Sequence, residues 1–119
     1  MRIFIRMKTI LYVEDDGIDR DEIVPELEDE GYLVLEHRNG EEAKEHIERG
    51  LFDLAIIDRT LPGISGDQLV GAIKRRYPEK PVIAVCATNM GSAKYADITM
   101  CKLDFREGTL VREIRSILK

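Results

Sequence analysis

The runs LAII, at residues 54–57, and VIAVCA, at residues 82–87, contain no charged side chain and do not alternate with polar residues. A strand with one face in water alternates apolar and polar residues. A strand of a parallel sheet is covered on both faces and reads as a continuous apolar run. The two runs therefore predict strands of a parallel sheet.

Further apolar, β-branched runs flank these two, and helical patterns separate them. The predicted strands span residues 9–13, 32–35, 53–57, 81–87 and 98–100. The predicted helices span residues 18–30 and 109–119 and two segments that open at the capping pairs Asn39 with Glu42 and Ser65 with Gln68. Strands that alternate with helices form an α/β fold. We expect a flavodoxin-like, doubly wound sheet of five parallel strands in the order 2-1-3-4-5.

The composition is that of an ordinary globular protein. With 119 residues, 44% apolar and 34% charged, the chain is expected to form one domain over residues 1–119, in which residues 1–7 extend the first strand. A net charge of −5 argues against nucleic acid or an anionic membrane as a partner. The chain has no apolar run near the roughly 18 residues of a membrane span, and its first residues do not resemble a signal peptide. We expect a cytoplasmic protein with two reduced thiols, Cys86 and Cys101.

Acidic residues end two of the predicted strands. Glu14, Asp15 and Asp16 follow the first strand, and Asp58 follows the apolar run of the third. In the order 2-1-3-4-5 these two strands flank the switch point, where ligands bind at the carboxyl ends of the strands. Two carboxylates about 4 Å apart repel by roughly 4 kcal/mol near a protein surface, so either they separate into water or a cation lies between them.

The second alternative indicates a metal site. Oxygen ligands with room for water suit Mg²⁺, which takes one or two carboxylates. A mononucleotide site of the flavodoxin type would need Ser, Thr and Gly after the first strand to bind a phosphate, and three acids there exclude it.

Three motifs carry a resemblance to a known family. They are VEDD at residues 13–16, DRTLPGISG at residues 58–66 and CKLDF at residues 101–105. In this order and spacing the chain resembles the receiver domain of two-component response regulators over residues 8–119. The resemblance implies phosphoryl transfer to the protein from a histidine kinase or a histidine phosphotransfer protein, with an unknown downstream partner.

The resemblance also implies roles for particular residues. Asp58 corresponds to the phosphoacceptor, and Lys102 to the lysine that contacts the phosphoryl group. Asp15 and Glu14 correspond to the acids of the Mg²⁺ site, together with Asp58 itself. Thr60 corresponds to the residue whose backbone carbonyl completes the metal ligands. Such a domain phosphorylates itself and loses the group slowly, which differs from the turnover of an enzyme.

The sequence departs from the family pattern at its switch residues. Cys86 replaces the Ser or Thr that bonds the phosphoryl group, and a thiol is a weak donor. Thr88 is a candidate to replace that hydroxyl. Thr99 stands where the family has an aromatic residue. Only residues 87–101 lie between Cys86 and Lys102, so we expect the fourth helix of the family to be short or missing.

These departures leave two other hypotheses. The first is a receiver-like interaction module that binds a partner without being phosphorylated. The second is a hydrolase with an aspartate nucleophile, of the haloacid dehalogenase type. That class needs a second acid two residues after the nucleophile, where this chain has Thr60, and it needs a cap domain.

Overall fold

The structure is a computed structural model that describes residues 7–88 and 90–119, with side chains throughout these ranges except at positions 106 and 107. Its strands form one parallel sheet in the order β2-β1-β3-β4-β5, which confirms the predicted order. Each strand begins and ends within two residues of its predicted bounds. The predicted extension over residues 1–7 lies outside the described residues except for Met7. The strands are β1 (Thr9–Val13), β2 (Leu33–His37), β3 (Leu54–Asp58), β4 (Val82–Cys86) and β5 (Ile98–Cys101).

Among the described residues, three α-helices connect the strands, and a fourth lies after the last strand. A 3-10 helix over Lys102–Gly108 follows β5 and leads into the last α-helix. The α-helices are α1 (Gly17–Asp29), α2 (Gly40–Arg49), α3 (Gly66–Arg76) and α4 (Thr109–Ile117).

Side chains cap the helices that position the candidate site. The Asp16 carboxylate accepts hydrogen bonds from the first amides of α1, so this acid fixes the helix start. Ser65 and Gln68 form the predicted reciprocal capping box of α3. Asn39 caps α2, but its predicted partner Glu42 accepts instead from the amide of Arg38, at 3.1 Å. The predicted capping pairs thus mark both helix starts correctly.

The sheet divides the core into two layers. Ile10 and Tyr12 of β1 pack against α1 and α4 on one face. Leu11 and Val13 of the same strand pack against α2 and α3 on the other face. Both layers are buried, and this is why the central strands read as continuous apolar runs.

The connection between β4 and β5 carries the main departure in the fold. Among its described residues, 87–88 and 90–97, none is helical, which confirms the predicted loss of a helix. Hydrogen bonds hold the segment in place: the Ala93 amide donates to Thr99 Oγ1 at 2.9 Å, and Lys74 Nζ donates to Asp97 Oδ2 at 2.9 Å. On the α2 and α3 side of the sheet, Thr99 and Cys101 of β5 are partly exposed, whereas Val82 and Ala84 of β4 are buried.

Two cavities lie beside this segment. One, of about 620 Å³, lies between α3 and residues 92–95. The other, of about 370 Å³, lies between β5 and residues 91–92, and we call it the β5 cavity. No helix over the described ranges is long and apolar enough to cross a membrane.

Candidate functional site

Asp58 is the last residue of β3 and lies at the carboxyl edge of the sheet. Its side chain is buried, with 3% of the residue exposed. Its Oδ1 atom accepts a hydrogen bond from the Thr60 amide at 2.9 Å, which fixes the rotation of the carboxylate. A buried carboxylate at a strand end needs positive charge or hydrogen bonds to remain ionised, and the neighbouring residues supply both.

Glu14 and Asp15 lie beside Asp58, as the sheet order predicts. Carboxylate oxygens of these three residues lie within 4.8 Å of one another. Glu14 is 1% exposed, whereas Asp15 is exposed. The Glu14 amide donates to the carbonyl of His37 at 2.9 Å, so the end of β1 is held against β2 at this point.

Lys102, the first residue after β5, reaches into this cluster. Its Nζ atom lies 2.8 Å from Glu14 Oε1 and 3.4 Å from Asp58 Oδ2. A third carboxylate, that of Asp19 in the first turn of α1, lies 2.7 Å from the same nitrogen. The ammonium group therefore brings together the ends of β1, β3 and β5. Asp19 was not among the residues that the sequence identified, because no local motif marks it.

The packing of these charges shifts the pKa values of the groups. Burial raises the pKa of Glu14 to about 8, and its hydrogen bond with Asp58 contributes to the rise, while Lys102 opposes it. Burial alone lowers the pKa of Lys102, but its contacts with Asp19 and Glu14 outweigh this and raise the pKa above its ordinary value. The lysine is therefore a fixed cation at neutral pH, and burial favours the protonated form of Glu14.

The donor set fits a hard divalent cation. Glu14 Oε1 has no hydrogen-bond partner: its contact with Lys102 is at ion-pair distance, but it lacks hydrogen-bond geometry. A buried oxygen without a hydrogen bond, in a cluster of three carboxylates, gains from a cation that binds oxygen, and Mg²⁺ is such a cation. The acidic cluster thus forms a candidate metal site of Glu14, Asp15 and Asp58.

The other predicted site residues lie around this cluster. Cys86 ends β4 and is buried, and its thiol donates to the carbonyl of Met100 at 3.6 Å. Thr60 is exposed, and it contacts Asp58 through its amide. Thr88 is exposed beyond the end of β4, and it has no hydrogen bond to the site among the described residues. The contacts of the structure therefore bring Lys102, Glu14, Asp15 and Asp58 together and leave Thr88 outside.

The loop that follows Asp58 is fixed by two features. A Cβ atom on Gly66 would lie 2.0 Å from the Asp58 carbonyl oxygen, so α3 can begin here only with glycine. The Arg59 guanidinium forms a two-bonded ion pair with Asp67, at 2.9 and 3.1 Å. It also donates to the carbonyl of Gly91 at 2.7 Å. No sequence pattern indicates the role of this arginine, because its partners Asp67 and Gly91 lie 8 and 32 positions away.

The fold and the site define a class of protein. A family model described as the response regulator receiver domain matches residues 10–102. The chain belongs to this family.

Known proteins of the family resemble the chain in sequence and structure. The cyclic di-GMP phosphodiesterase of Thermotoga maritima is 42% identical over 79 residues, which are 66% of this chain and 21% of that protein. The chain thus matches a small part of that relative. The response regulator TrrA of Thermotoga maritima, solved in complex with Mg²⁺-BeF, has a TM-score of 0.85 and 31% identity, over 93% of this chain and 99% of its own.

A second solved structure contains TrrA bound to the histidine kinase ThkA. That match has a TM-score of 0.82 and 33% identity, and it covers 95% of this chain and 100% of the matched chain.

Proposed function

We propose that the chain is a phosphoacceptor, in which Asp58 receives a phosphoryl group from a phosphohistidine and the modification switches partner interactions. The observation that carries this proposal is the position of Lys102, whose Nζ atom lies 3.4 Å from Asp58 Oδ2 within the acidic cluster. A lone buried aspartate would be a poor nucleophile toward an anion. An aspartate with a fixed ammonium beside it can attack phosphorus while the charge of the phosphoryl oxygens is neutralised.

The transfer needs little covalent chemistry from the protein. A carboxylate oxygen of Asp58 forms a bond with phosphorus as the bond between phosphorus and the histidine nitrogen breaks, and the imidazole leaves with that electron pair. The Thr60 amide, which donates to Oδ1, keeps the carboxylate oriented for this attack. Lys102 moves its contact from the Asp58 carboxylate to a phosphoryl oxygen.

Magnesium is part of the proposal. When bound, the ion supplies positive charge to the phosphoryl oxygens and offsets the repulsion among the carboxylates. Its proposed ligands are Glu14, Asp15, Asp58 and the backbone carbonyl of Thr60. The Glu14 Oε1 atom without a hydrogen bond and the raised pKa of Glu14 support this, since both describe a buried carboxylate whose charge Lys102 compensates only in part.

The proposed donor is a histidine kinase or a histidine phosphotransfer protein. TrrA aligns with 95% of this chain at 33% identity, and it is seen in complex with a histidine kinase. We propose that this chain binds its donor through α1 and the loops around Asp58, since those surround the acidic cluster. Residues 1–119 are proposed to act as one receiver domain, which binds neither nucleic acid nor membrane, with an unidentified downstream protein.

We also propose that phosphorylation causes only a modest change in the structure. The Cys86 thiol donates toward β5, to the Met100 carbonyl, and a thiol is a weak donor in any case. Thr88, exposed just beyond the end of β4, remains the candidate to replace the hydroxyl of the family's Ser or Thr. The phosphoryl group would therefore gain Lys102 as a partner but no strong hydroxyl donor from β4.

The test is incubation of the purified chain with Mg²⁺ and acetyl phosphate or phosphoramidate, followed at once by intact mass measurement. We expect a single phosphoryl adduct that disappears in the Asp58→Asn variant and when Mg²⁺ is chelated. Absence of the adduct, together with failure of beryllofluoride to bind, would overturn the proposal. It would favour the alternative that the chain binds a partner without being phosphorylated. The cavity of about 620 Å³ between α3 and residues 92–95 would then be the candidate binding surface.

A further inference from the structure

The two cysteines of the chain, which are fifteen positions apart in sequence, are direct neighbours in the sheet. In the parallel pairing of β4 with β5, Cys86 is the register partner of Cys101. Neighbouring strands lie about 4.7–4.9 Å apart, and disulfides join Cα atoms about 4.4–6.8 Å apart. The backbone spacing at this pair therefore suits a disulfide without movement of either strand.

The two side chains project from the same face of the sheet. Val82 and Ala84 of β4 pack in the layer of α2 and α3, and Cys86 follows at the same alternation. Ile98 and Met100 of β5 pack in the opposite layer. Because side chains alternate along a strand, Cys101 faces the α2 and α3 side, as Cys86 does.

Each thiol also leans over the other strand. Cys86 Sγ lies 3.6 Å from the Met100 carbonyl oxygen of β5, and Cys101 Sγ lies 3.7 Å from the Ala87 carbonyl oxygen just after β4. Both sulfurs are thus turned into the space between the strands. Both cysteines are free thiols in the structure.

An open route leads to this pair. The β5 cavity is lined by both cysteines, together with Gly91, Ser92 and Asp104. Cys101 is partly exposed, whereas Cys86 is 3% exposed. Where no helix covers this face, a small oxidant reaches Cys101 first, and Cys86 lies beside it to complete the reaction.

We propose that Cys86 and Cys101 form a reversible intramolecular disulfide when the protein meets a hydroperoxide. The Cys101 thiolate attacks one peroxide oxygen, the O–O bond breaks, and a sulfenic acid forms as water or an alcohol leaves. The Cys86 thiol then attacks that sulfur, the S–S bond forms, the S–O bond breaks, and water leaves. Together the thiols lose two electrons and two protons, and the peroxide is reduced. A dithiol reductant reverses the change.

The position of the pair gives the disulfide a consequence for the acidic cluster. Cys101 immediately precedes Lys102, and Cys86 is the residue after Val85, the register partner of Asp58. A covalent bond here joins the end of β4 to the end of β5, and it removes the Cys86 thiol from the edge of the acidic cluster. The disulfide is a redox modification that stands independently of phosphorylation at Asp58.

The test treats the reduced, folded full chain with increasing hydrogen peroxide. Remaining thiols are then blocked with excess maleimide in denaturant at low pH, and the intact mass is measured. We expect both maleimide adducts to disappear together, with a product that is two hydrogens lighter than the reduced chain and monomeric on a non-reducing gel. Dithiothreitol should restore both adducts.

Two variants control for the pairing. In Cys101→Ser, Cys86 should resist oxidation and keep its maleimide adduct. In Thr99→Cys combined with Cys101→Ser, two thiols share the same face but are two residues out of register, so the internal disulfide should be lost. Circular dichroism would show that both variants remain folded. Oxidation of Cys101 alone to sulfinic acid, or dimers through Cys101, would overturn the proposal.

Discussion

Lys102 Nζ lies 2.7 Å from Asp19 Oδ2, although the two residues are 83 positions apart in sequence. This is the shortest of the three carboxylate contacts of the ammonium, and its distance to Asp58 is the longest, at 3.4 Å. Asp19 therefore competes with Asp58 for the lysine. If Asp58 is phosphorylated as proposed, this residue outside the acidic cluster sets how readily the lysine reaches the phosphoryl group.

The first prediction concerns this competition. Asp19→Asn removes a partly exposed ion pair, an interaction of about 0.2–1 kcal/mol, and frees Lys102 for the phosphoryl oxygens. We expect the rate of adduct formation with acetyl phosphate to rise about two- to fivefold, as judged by intact mass over time. Asp21→Asn, on the same helix and with the same charge change, should leave the rate unaltered. A slower rate in Asp19→Asn would show that the aspartate instead positions the lysine for reaction.

The second prediction is a pH dependence of stability without metal. The pKa of Glu14 is about 8 in the folded chain and about 4.5 when unfolded, so the folded state binds the proton more tightly. The contribution of this group is fully present below pH 4.5 and is lost as pH rises to about 8, with a slope of at most about 1.4 kcal/mol per pH unit. Urea unfolding in EDTA at several pH values measures it.

Its control is Glu14→Gln, which should flatten the loss of stability across that window. Mg²⁺ should restore stability in the unmodified chain most strongly above pH 8, where the carboxylate is ionised and can bind it. A pH slope that persists unchanged in Glu14→Gln would contradict the assignment to this group.

The third prediction tests the close approach of α3 to the candidate phosphoacceptor. In Gly66→Ala, the new Cβ would lie 2.0 Å from the Asp58 carbonyl oxygen and 2.5 Å from Arg59 Cα, so backbone must move. We expect a loss of about 1–3 kcal/mol in the free energy of unfolding, together with a weaker phosphoryl adduct. Urea unfolding and intact mass measure the two effects.

Gly71→Ala is the matched control in the same helix. Its Cβ would meet side-chain atoms of Tyr95 and Arg75 at 3.4 and 3.5 Å, which can adjust, and alanine favours a helix by up to about 1 kcal/mol. The control should therefore match or exceed the original stability. Equal losses in the two variants would show that the helix tolerates no side chain at either position, and would remove the special role of Gly66.

The fourth prediction concerns two histidines at the edge of the sheet. His37 Nε2 and His46 Nδ1 lie 2.7 Å apart, so one ring donates a hydrogen bond and the other accepts it. Burial, and then the neighbouring His46, lower the pKa of His37 below its ordinary value of 6.5. The folded state therefore binds this proton less tightly than the unfolded state, and stability falls as pH drops below about 6.5.

The measurement is a comparison of the original chain with His37→Asn at pH 7.5 and pH 5.5 by urea unfolding. Because Glu14 acts in the opposite direction over part of this range, the prediction is for the difference between the two proteins. The stability of the variant relative to the original chain should improve as pH falls. A difference that is constant with pH would show that His37 titrates normally.

The positions of the strands and the identity of the acidic residues could be predicted from sequence because both depend on local patterns, and the strand order followed from the expected fold class. Continuous apolar runs reveal doubly buried strands, and an acid at a strand end stands out against them. The capping of α3 by Ser65 is local in the same sense. Contacts set by strand register or helix rotation are not local, and the pattern of one segment carries little information on them.

Two contacts in this protein could not be predicted from sequence for this reason. The spacing of Cys86 and Cys101 suggested neither a disulfide nor a metal site, yet their strands place them side by side. The contact of Asp19 with Lys102 depends on how α1 is rotated over the end of β5. The roles of Asp58, Glu14, Asp15, Thr60 and Cys86 remain predictions, of which the Asp58→Asn and Glu14→Gln variants test the first two.

The bonds of Arg59 impose a mechanical constraint on the molecule. Arg59 follows Asp58 directly, and its guanidinium is bonded at one end to Asp67 of α3 and at another to the Gly91 carbonyl. The segment that replaces a helix is therefore tethered to the residue next to Asp58. A displacement of the backbone at residue 59 larger than the arginine side chain can absorb must either carry residue 91 with it or break a charged hydrogen bond.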